Sequence, residues 1–317
     1  MDMDAAYPLD TGFSYRRSGE PDCAALEDEL SRVYGAERVV ITNSGMEAIT
    51  TMFDWVLPVS GKIVINKNLY HETRLWLKLI RRHETVSVDM EDLEALAAAA
   101  RNANIVYLDF PGVFPHKCNL AEIEKIAHTN GAALCVDNSV ASFNYVNPLK
   151  AGADYVVESY SKYVTGGNDT MAGAIAIRKV RNKARLNAFL SWRGRSIHPI
   201  TVHRIRKGIE TLPVRMERIQ MSASALAEAL KRSGFNCLYN GYGCIMLPGY
   251  DDRLCKRLRM FKTRTTFGAN VSICTASYRP DLYDFGQSYV RLSVGLENNS
   301  MLIQDVLRAA KEVKENE

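Results

Sequence analysis

Short runs of β-branched and apolar residues recur along the first half of this chain, at Arg38–Thr42, Lys62–Asn66, Thr85–Val88, Ile105–Leu108, Ala132–Val136 and Tyr155–Val157. Segments with helical patterning lie between most of them: one opening at Ser44, then Leu69–Leu79, Glu91–Arg101 and Leu120–Asn130. The runs are too short for helices and nearly continuous in apolar residues, as strands covered on both faces are. Regular alternation of strand and helix predicts an α/β fold with a mostly parallel sheet flanked by helices. Such sheets bind ligands beyond the carboxyl ends of their strands. Ser44, Asp109, Asp137 and Lys162 all fall near such ends.

Around this pattern the rest of the chain is less regular. An amphipathic helix is predicted over Asp22–Tyr34, and a strand of small and β-branched residues over Met171–Ile177. Thr201–Arg232 reads as a long helix interrupted near Leu212 and Pro213. The domain change is placed in that helix, giving a large domain at 1–205 with a short N-terminal arm and a smaller α/β domain at 206–317. The second part carries short strands at Gly243–Leu247 and Tyr289–Val294 and a charged C-terminal helix.

Composition narrows the function. A net charge of +4 is spread along 317 residues, which gives no reason to invoke nucleic acid. No apolar run approaches the roughly 20 residues of a membrane helix. The first residues lack the basic flank and apolar core of a secretion signal. Seven scattered cysteines without a Cys-x-x-Cys pair, and six histidines without His-Glu-x-x-His, predict neither a disulfide framework nor a metal site. A cytoplasmic location is expected.

Several residues near the strand ends have two readings each. Lys162 follows a buried strand and two hydroxyls, Ser159 and Ser161, and precedes Gly166 and Gly167. A desolvated amine there is a Schiff-base nucleophile; a loop lysine reaching back to water is the plainer alternative. Ser44 and Glu47 have capping-box spacing, and a strand, a small turn and a helix N-terminus make a phosphate site, although many such junctions bind nothing. Asp137 is either a ligand-facing acid or an N-cap. Tyr70 is either a site residue or a core aromatic. Arg291, inside an apolar strand, needs a carboxylate from the protein or from a ligand.

Read together, these segments resemble a known family: the γ-subfamily of fold-type-I pyridoxal-phosphate enzymes, the cystathionine γ-synthase/γ-lyase and methionine γ-lyase group. Tyr15-Arg16-Arg17-Ser18-Gly19-Glu20-Pro21 is similar to its Tyr-Ser-Arg-Thr-Gly-Asn-Pro segment. Ser44-Gly45-Met46 with Ala48 and Ile49 is similar to its phosphate-binding Ser-Gly-Met-Ala-Ala-Ile. Tyr70 with Thr73 resembles Tyr-Gly-Gly-Thr, and Val136-Asp137-Asn138-Ser139 resembles Val-Asp-Asn-Thr. Ser159-Tyr160-Ser161-Lys162-Tyr163 resembles Ser-Ala-Thr-Lys-Tyr. Thr211–Arg218 and Val290–Glu297 match two later landmarks.

The resemblance implies the fold-type-I transferase fold and pyridoxal 5'-phosphate bound to Lys162 as a Schiff base. It implies a lyase or transferase acting on an L-amino acid by β- or γ-elimination or γ-replacement. It assigns Asp137 to the pyridine nitrogen, and Ser44, Gly45, Met46, Ser139, Ser159 and Ser161 to the cofactor. Tyr70 would stack on the ring and donate a proton to a leaving group. Arg291 and Thr266 would meet the substrate. Tyr15 and Arg17 would reach the phosphate of a neighbouring subunit, in a homodimer or homotetramer with shared active sites. A fold-type-I aminotransferase and a catalytically inactive homologue with a regulatory role are the alternatives.

The chain also departs from the family. The family's N-terminal arm is expected to be missing, leaving a more open entrance. Phe110-Pro111-Gly112-Val113-Phe114-Pro115 stands where the family has Pro-Thr-Asn-Pro, whose asparagine contacts the ring hydroxyl. Val271 replaces a family glutamate, and Glu158 stands where histidine is common. Glu72 stands where relatives carry a small residue or cysteine; it either favours a substrate with a cationic side chain or is a solvated first-turn acid.

Overall fold

All six early runs form strands in the computed structural model, which describes residues 6–7, 15–80, 83–115, 117–277 and 287–314. After α1 (Pro21–Tyr34) and β1 (Arg38–Thr42), the chain runs α2 (Gly45–Val56), β2 (Lys62–Asn66), α3 (His71–Ile80), β3 (Glu84–Val88) and α4 (Leu93–Ala100). It continues through β4 (Ile105–Asp109), α5 (Leu120–Thr129), β5 (Ala133–Asp137), α6 (Ser142–Tyr145), β6 (Tyr155–Glu158), β7 (Gly173–Ile177) and α7 (Lys183–Trp192). These strands form one seven-stranded sheet in the order β1-β7-β6-β5-β4-β2-β3. Pairings from β6 through β5, β4 and β2 to β3 are parallel, whereas β7 runs antiparallel to both its neighbours.

Alternate strand residues feed two separate cores, which is why the runs are apolar throughout. Val39, Val64, Val106, Leu134 and Val156 pack beneath α1, α4, α5 and the long helix α8 (Pro199–Arg232). Val40, Ile63, Ile105, Cys135 and Val157 face α2, α3 and α7. Buried on both sides, the central strands are removed from water, a favourable term of about 1.5–3 kcal/mol for each large aliphatic side chain.

The interruption expected near Pro213 does not occur: α8 runs through it for 34 residues. Proline removes one helical hydrogen bond, but Leu212, Met216 and Ile219 are buried in the main core on either side, so packing holds the axis. Up to Ile219 the buried face of α8 belongs to the large sheet; from Ala223 it belongs to the smaller unit. That unit has β8 (Leu238–Tyr239), β9 (Cys244–Pro248), α9 (Asp252–Arg257), β10 (Lys262–Thr263), β11 (Ile273–Ala276), β12 (Tyr289–Ser293) and α10 (Asn299–Lys314). Its sheet order is β10-β11-β12-β9-β8. Among the described residues, no helix is long and apolar enough to cross a membrane, and no cluster of side chains could hold a metal ion.

Candidate active site

The end of β6 delivers Ser159, Ser161 and Lys162 into a tight turn. Ser161 Oγ donates to the Ala172 carbonyl at 3.1 Å and accepts from the Ala172 amide at 3.0 Å, tying the turn to the chain entering β7. Arg215, on α8, donates to the carbonyls of Tyr163 and Val164 at 2.8 and 3.0 Å. The helix comes this close because residue 208 is glycine; a Cβ there would lie 2.2 Å from the Val164 oxygen. The lysine is thus held by backbone on both sides.

Its Nζ donates to Thr266 Oγ1 at 2.9 Å and lies 5.1 Å from the centre of the Phe267 ring. Burial, and next the nearby Arg291 cation, lower the amine to about 8, while Asp137 opposes them. A measurable fraction is therefore neutral near physiological pH, which a plain loop lysine is not.

Asp137 ends β5, and its Oδ1 accepts from the amide and hydroxyl of Ser139 at 2.9 and 2.6 Å. The Tyr107 hydroxyl donates to Oδ2 at 3.4 Å. Ser139 Oγ also accepts from the Ser159 amide at 2.7 Å, so one hydroxyl links the Asp137 carboxylate to the Lys162 turn. Burial raises Asp137 above the usual carboxylate range, and Ser139, Tyr107 and Lys162 pull it back.

Residue 44 caps α2: its hydroxyl accepts from the Glu47 amide at 3.0 Å. The reciprocal arm of the expected capping box lands one residue earlier, where Glu47 accepts from the amide and side-chain amide of Asn43. The amides of Gly45 and Met46 belong to the first turn, which a helix leaves without carbonyl partners. A Cβ on Gly45 would sit 2.8 Å from Ser159 Cβ, so this helix end meets the β6 turn edge to edge. Serine hydroxyls and helix-end amides around a gap with no room for a methyl group are the donor set a phosphate takes. The lysine and the strand-end carboxylate suit an aldehyde and a protonated ring nitrogen. The residues present fit pyridoxal phosphate.

A cavity of about 230 Å³ collects these groups. Of the expected site residues, Ser44, Gly45, Met46, Tyr70, Asp137, Ser139, Ser159, Ser161 and Lys162 line it. Thr266 and Arg291 do not; they stand beside it. Arg291, on β12, donates to the Thr266 carbonyl at 2.9 Å, and its guanidinium lies 5.4 Å from the Phe267 ring. Its Nε is buried and has no partner among the described residues. Tyr70 is raised by burial, then by Glu72, Asp137 and Asp109, so its hydroxyl keeps its proton. Glu72 is 51% exposed, lies outside the cavity wall and sits 3.2 Å from His71 Nε2, which favours the solvated first-turn acid. Tyr15 and Arg17 are stacked on each other at 4.4 Å, away from this cavity.

Three contributors have no role in the sequence reading. Val113, from the altered 110–115 segment, lines the wall with an apolar side chain. Arg215, within the Thr211–Arg218 landmark, braces the lysine turn. Asp109, noted only as a strand-end residue, faces the cavity beside Asp137.

Residues 4–241 match the family model described as Cys/Met metabolism PLP-dependent enzyme. The chain is 29% identical to an L-methionine gamma-lyase of Pseudomonas putida, over 95% of this chain and 85% of that protein. It is 27% identical to a cystathionine beta-lyase of Neurospora crassa, over 94% of this chain and 73% of that protein. Among solved structures, a cystathionine gamma synthase from Xanthomonas oryzae pv. oryzae, in complex with cystathionine, superposes with a TM-score of 0.90. That match is at 22% identity and covers 99% of this chain and 92% of the other, a likeness of fold.

Proposed function

The chain belongs to the Cys/Met metabolism family of PLP-dependent enzymes, and on that premise we propose that it cleaves or exchanges a sulfur or oxygen substituent at Cβ or Cγ of an L-amino acid. The observation that carries this reading is Lys162: a buried amine lowered to about 8, hydrogen-bonded to Thr266 and set between Asp137 and Arg291 in the cavity region. Bound pyridoxal phosphate supplies an aldehyde for amines and a ring that accepts the electrons left when a bond at Cα breaks.

The chain's own residues supply the rest. The Gly45 and Met46 amides, with the Ser44 and Ser159 hydroxyls, hold the phosphate; Ser161, its proton already given to Ala172, orders the turn. Asp137, held by Ser139 and Tyr107, keeps its charge toward the ring nitrogen. Arg291, anchored through Nη2 on the Thr266 carbonyl, takes the substrate carboxylate, fixing which Cα bond faces the lysine. Lys162 accepts and returns protons at Cα and Cβ, because its neutral form is populated at working pH. Tyr70, which keeps its proton, donates it to the departing group.

Tyr15 and Arg17 point to a homo-oligomer, a dimer or a tetramer, in which each copy lends these two residues to its neighbour's phosphate. They lie away from their own cavity, which supports that reading. Seven free cysteines support a cytoplasmic location.

The deciding experiment incubates the holoenzyme with O-activated homoserines, cystathionine, cysteine and methionine, scoring keto acid and ammonia. Release of both from at least one of them is expected. Amino-group transfer to an added keto acid without free ammonia would instead establish an aminotransferase.

A further inference from the structure

β4 and β5 are parallel neighbours whose register sets Asp109 opposite Asp137, so two carboxyl groups stand side by side at the edge of the cavity. Their surroundings are unequal. Asp137 receives three hydrogen bonds, from the Ser139 amide, the Ser139 hydroxyl and Tyr107, and it feels the Lys162 amine. Asp109 receives one, from the Tyr70 amide to Oδ2 at 2.8 Å. Its Oδ1 is sealed from solvent and has no partner among the described residues. Two adjacent buried carboxyls do not both ionise when one proton relieves the repulsion. The charge stays where the donors are, on Asp137.

We propose that Asp109 works as a neutral carboxylic acid, accepting the Tyr70 amide on Oδ2 and keeping its proton on the sealed Oδ1. It is a positioning residue for Tyr70, which begins the turn into α3, and it leaves Asp137 as the only one of the pair charged toward the ring. The other charged or titratable groups around it do not change this assignment. Tyr107, on the same strand, gives its proton to Asp137 rather than to Asp109. Glu158, at the end of β6, is a further buried acid, which adds to the cost of a second charge. Glu72 on α3 is another acid. Lys162 acts on Asp137, and Arg291, on β12, is outside the cavity lining. Burial and the Asp137 charge push Asp109 well above the usual carboxylate range, in keeping with the geometry.

The inference rests on the cavity being the cofactor site, and its test separates the two. Wild type, Asp109→Asn and Asp109→Ala are compared without cofactor for melting temperature between pH 5 and 8, and then for pyridoxal phosphate affinity. A group raised in the fold stabilises fully below its unfolded value and loses that contribution as pH rises toward its folded value. The melting temperature of wild type relative to Asp109→Asn should therefore fall as pH rises, and an infrared carbonyl band of a protonated carboxyl should vanish in Asp109→Asn. Glu158→Gln serves as the control for the other buried acid. The asparagine, which retains an acceptor and a donor, should keep the cofactor dissociation constant within about threefold, while alanine raises it about tenfold or more. A melting difference that is flat or rises with pH, or an asparagine variant as weak as alanine, overturns the proposal. Failure of the wild type to bind the cofactor would sink the functional reading, while the cofactor-free pH comparison would still decide the state of Asp109.

Discussion

Lys162 Nζ and Thr266 Oγ1 are 2.9 Å apart although 104 positions separate them in the chain, and this bond ties the turn after β6 to the segment between β10 and β11 of the smaller sheet. The same threonine accepts from Arg291 through its carbonyl. One residue therefore sets the distance between the amine and the substrate clamp. Thr266→Val keeps the shape and removes the acceptor of a charged donor, an interaction of about 1.5–3 kcal/mol, so kcat should fall roughly ten- to hundredfold. Steady-state kinetics, together with the pH titration of the bound cofactor's visible absorbance, would check it; an unchanged kcat and titration would show the bond to be incidental.

The lysine also predicts a pH signature. Its folded value of about 8 lies below the ordinary lysine value, so the unfolded chain binds more protons between those two points. Stability of the cofactor-free protein should gain from this group as pH rises through that window and lose that gain as pH falls back through about 8. Comparing melting temperatures of wild type and Lys162→Met isolates the contribution: the difference should move in favour of wild type with rising pH. A difference that does not change with pH would mean the amine is solvated.

Gly45 tests the phosphate cradle. With Ala at this position, a methyl group meets Ser159 Cβ at 2.8 Å, so the helix end and the β6 turn must part. Pyridoxal phosphate affinity should fall about tenfold or more, because amides and hydroxyls no longer converge. Equilibrium titration by cofactor fluorescence measures this, and circular dichroism of the cofactor-free variant should remain that of the wild type.

Arg291 should divide KM from kcat. Its planar fork matches a carboxylate bidentately and the lysine ammonium does not, so Arg291→Lys should raise KM about ten- to hundredfold for amino-acid substrates. Cofactor absorbance should be retained. A KM unchanged for several amino acids would move the carboxylate site elsewhere.

The parts of this molecule legible in its sequence are those written locally. Residues 62–66 or 133–137 could only be strands covered on both faces, and Ser44 stands before a helix that it caps. Strand direction was not legible, since Gly173–Ile177 is small and apolar whichever way it runs, and pairing alone makes it antiparallel. Pro213 suggested a break because propensity is local, while the packing of Leu212 and Met216 is not. Lys162, Asp137 and Tyr70 could be picked out by motif. Asp109 could not be given a role, because its character comes from the β4–β5 register that sets it against Asp137. Arg215 was hidden in the same way: two backbone carbonyls, from Tyr163 and Val164, reach it only after α8 crosses the lysine turn.

The arm residues decide whether the active site is shared. Arg17 stacks on Tyr15 outside the cavity of its own chain, so Arg17→Ala should disable a neighbour's site while leaving its own wall intact. Lys162→Ala disables the site it lines. Each variant alone should be nearly inactive. Unfolded together and refolded, half of randomly formed dimers carry both variants, and in a symmetric exchange one of their two sites has a wild-type Lys162 and receives a wild-type Arg17. Activity should return to about a quarter of wild type when the mixture is equimolar. If Arg17 served its own chain's phosphate, both sites of a mixed dimer would lack one of the two residues, and mixing would restore nothing.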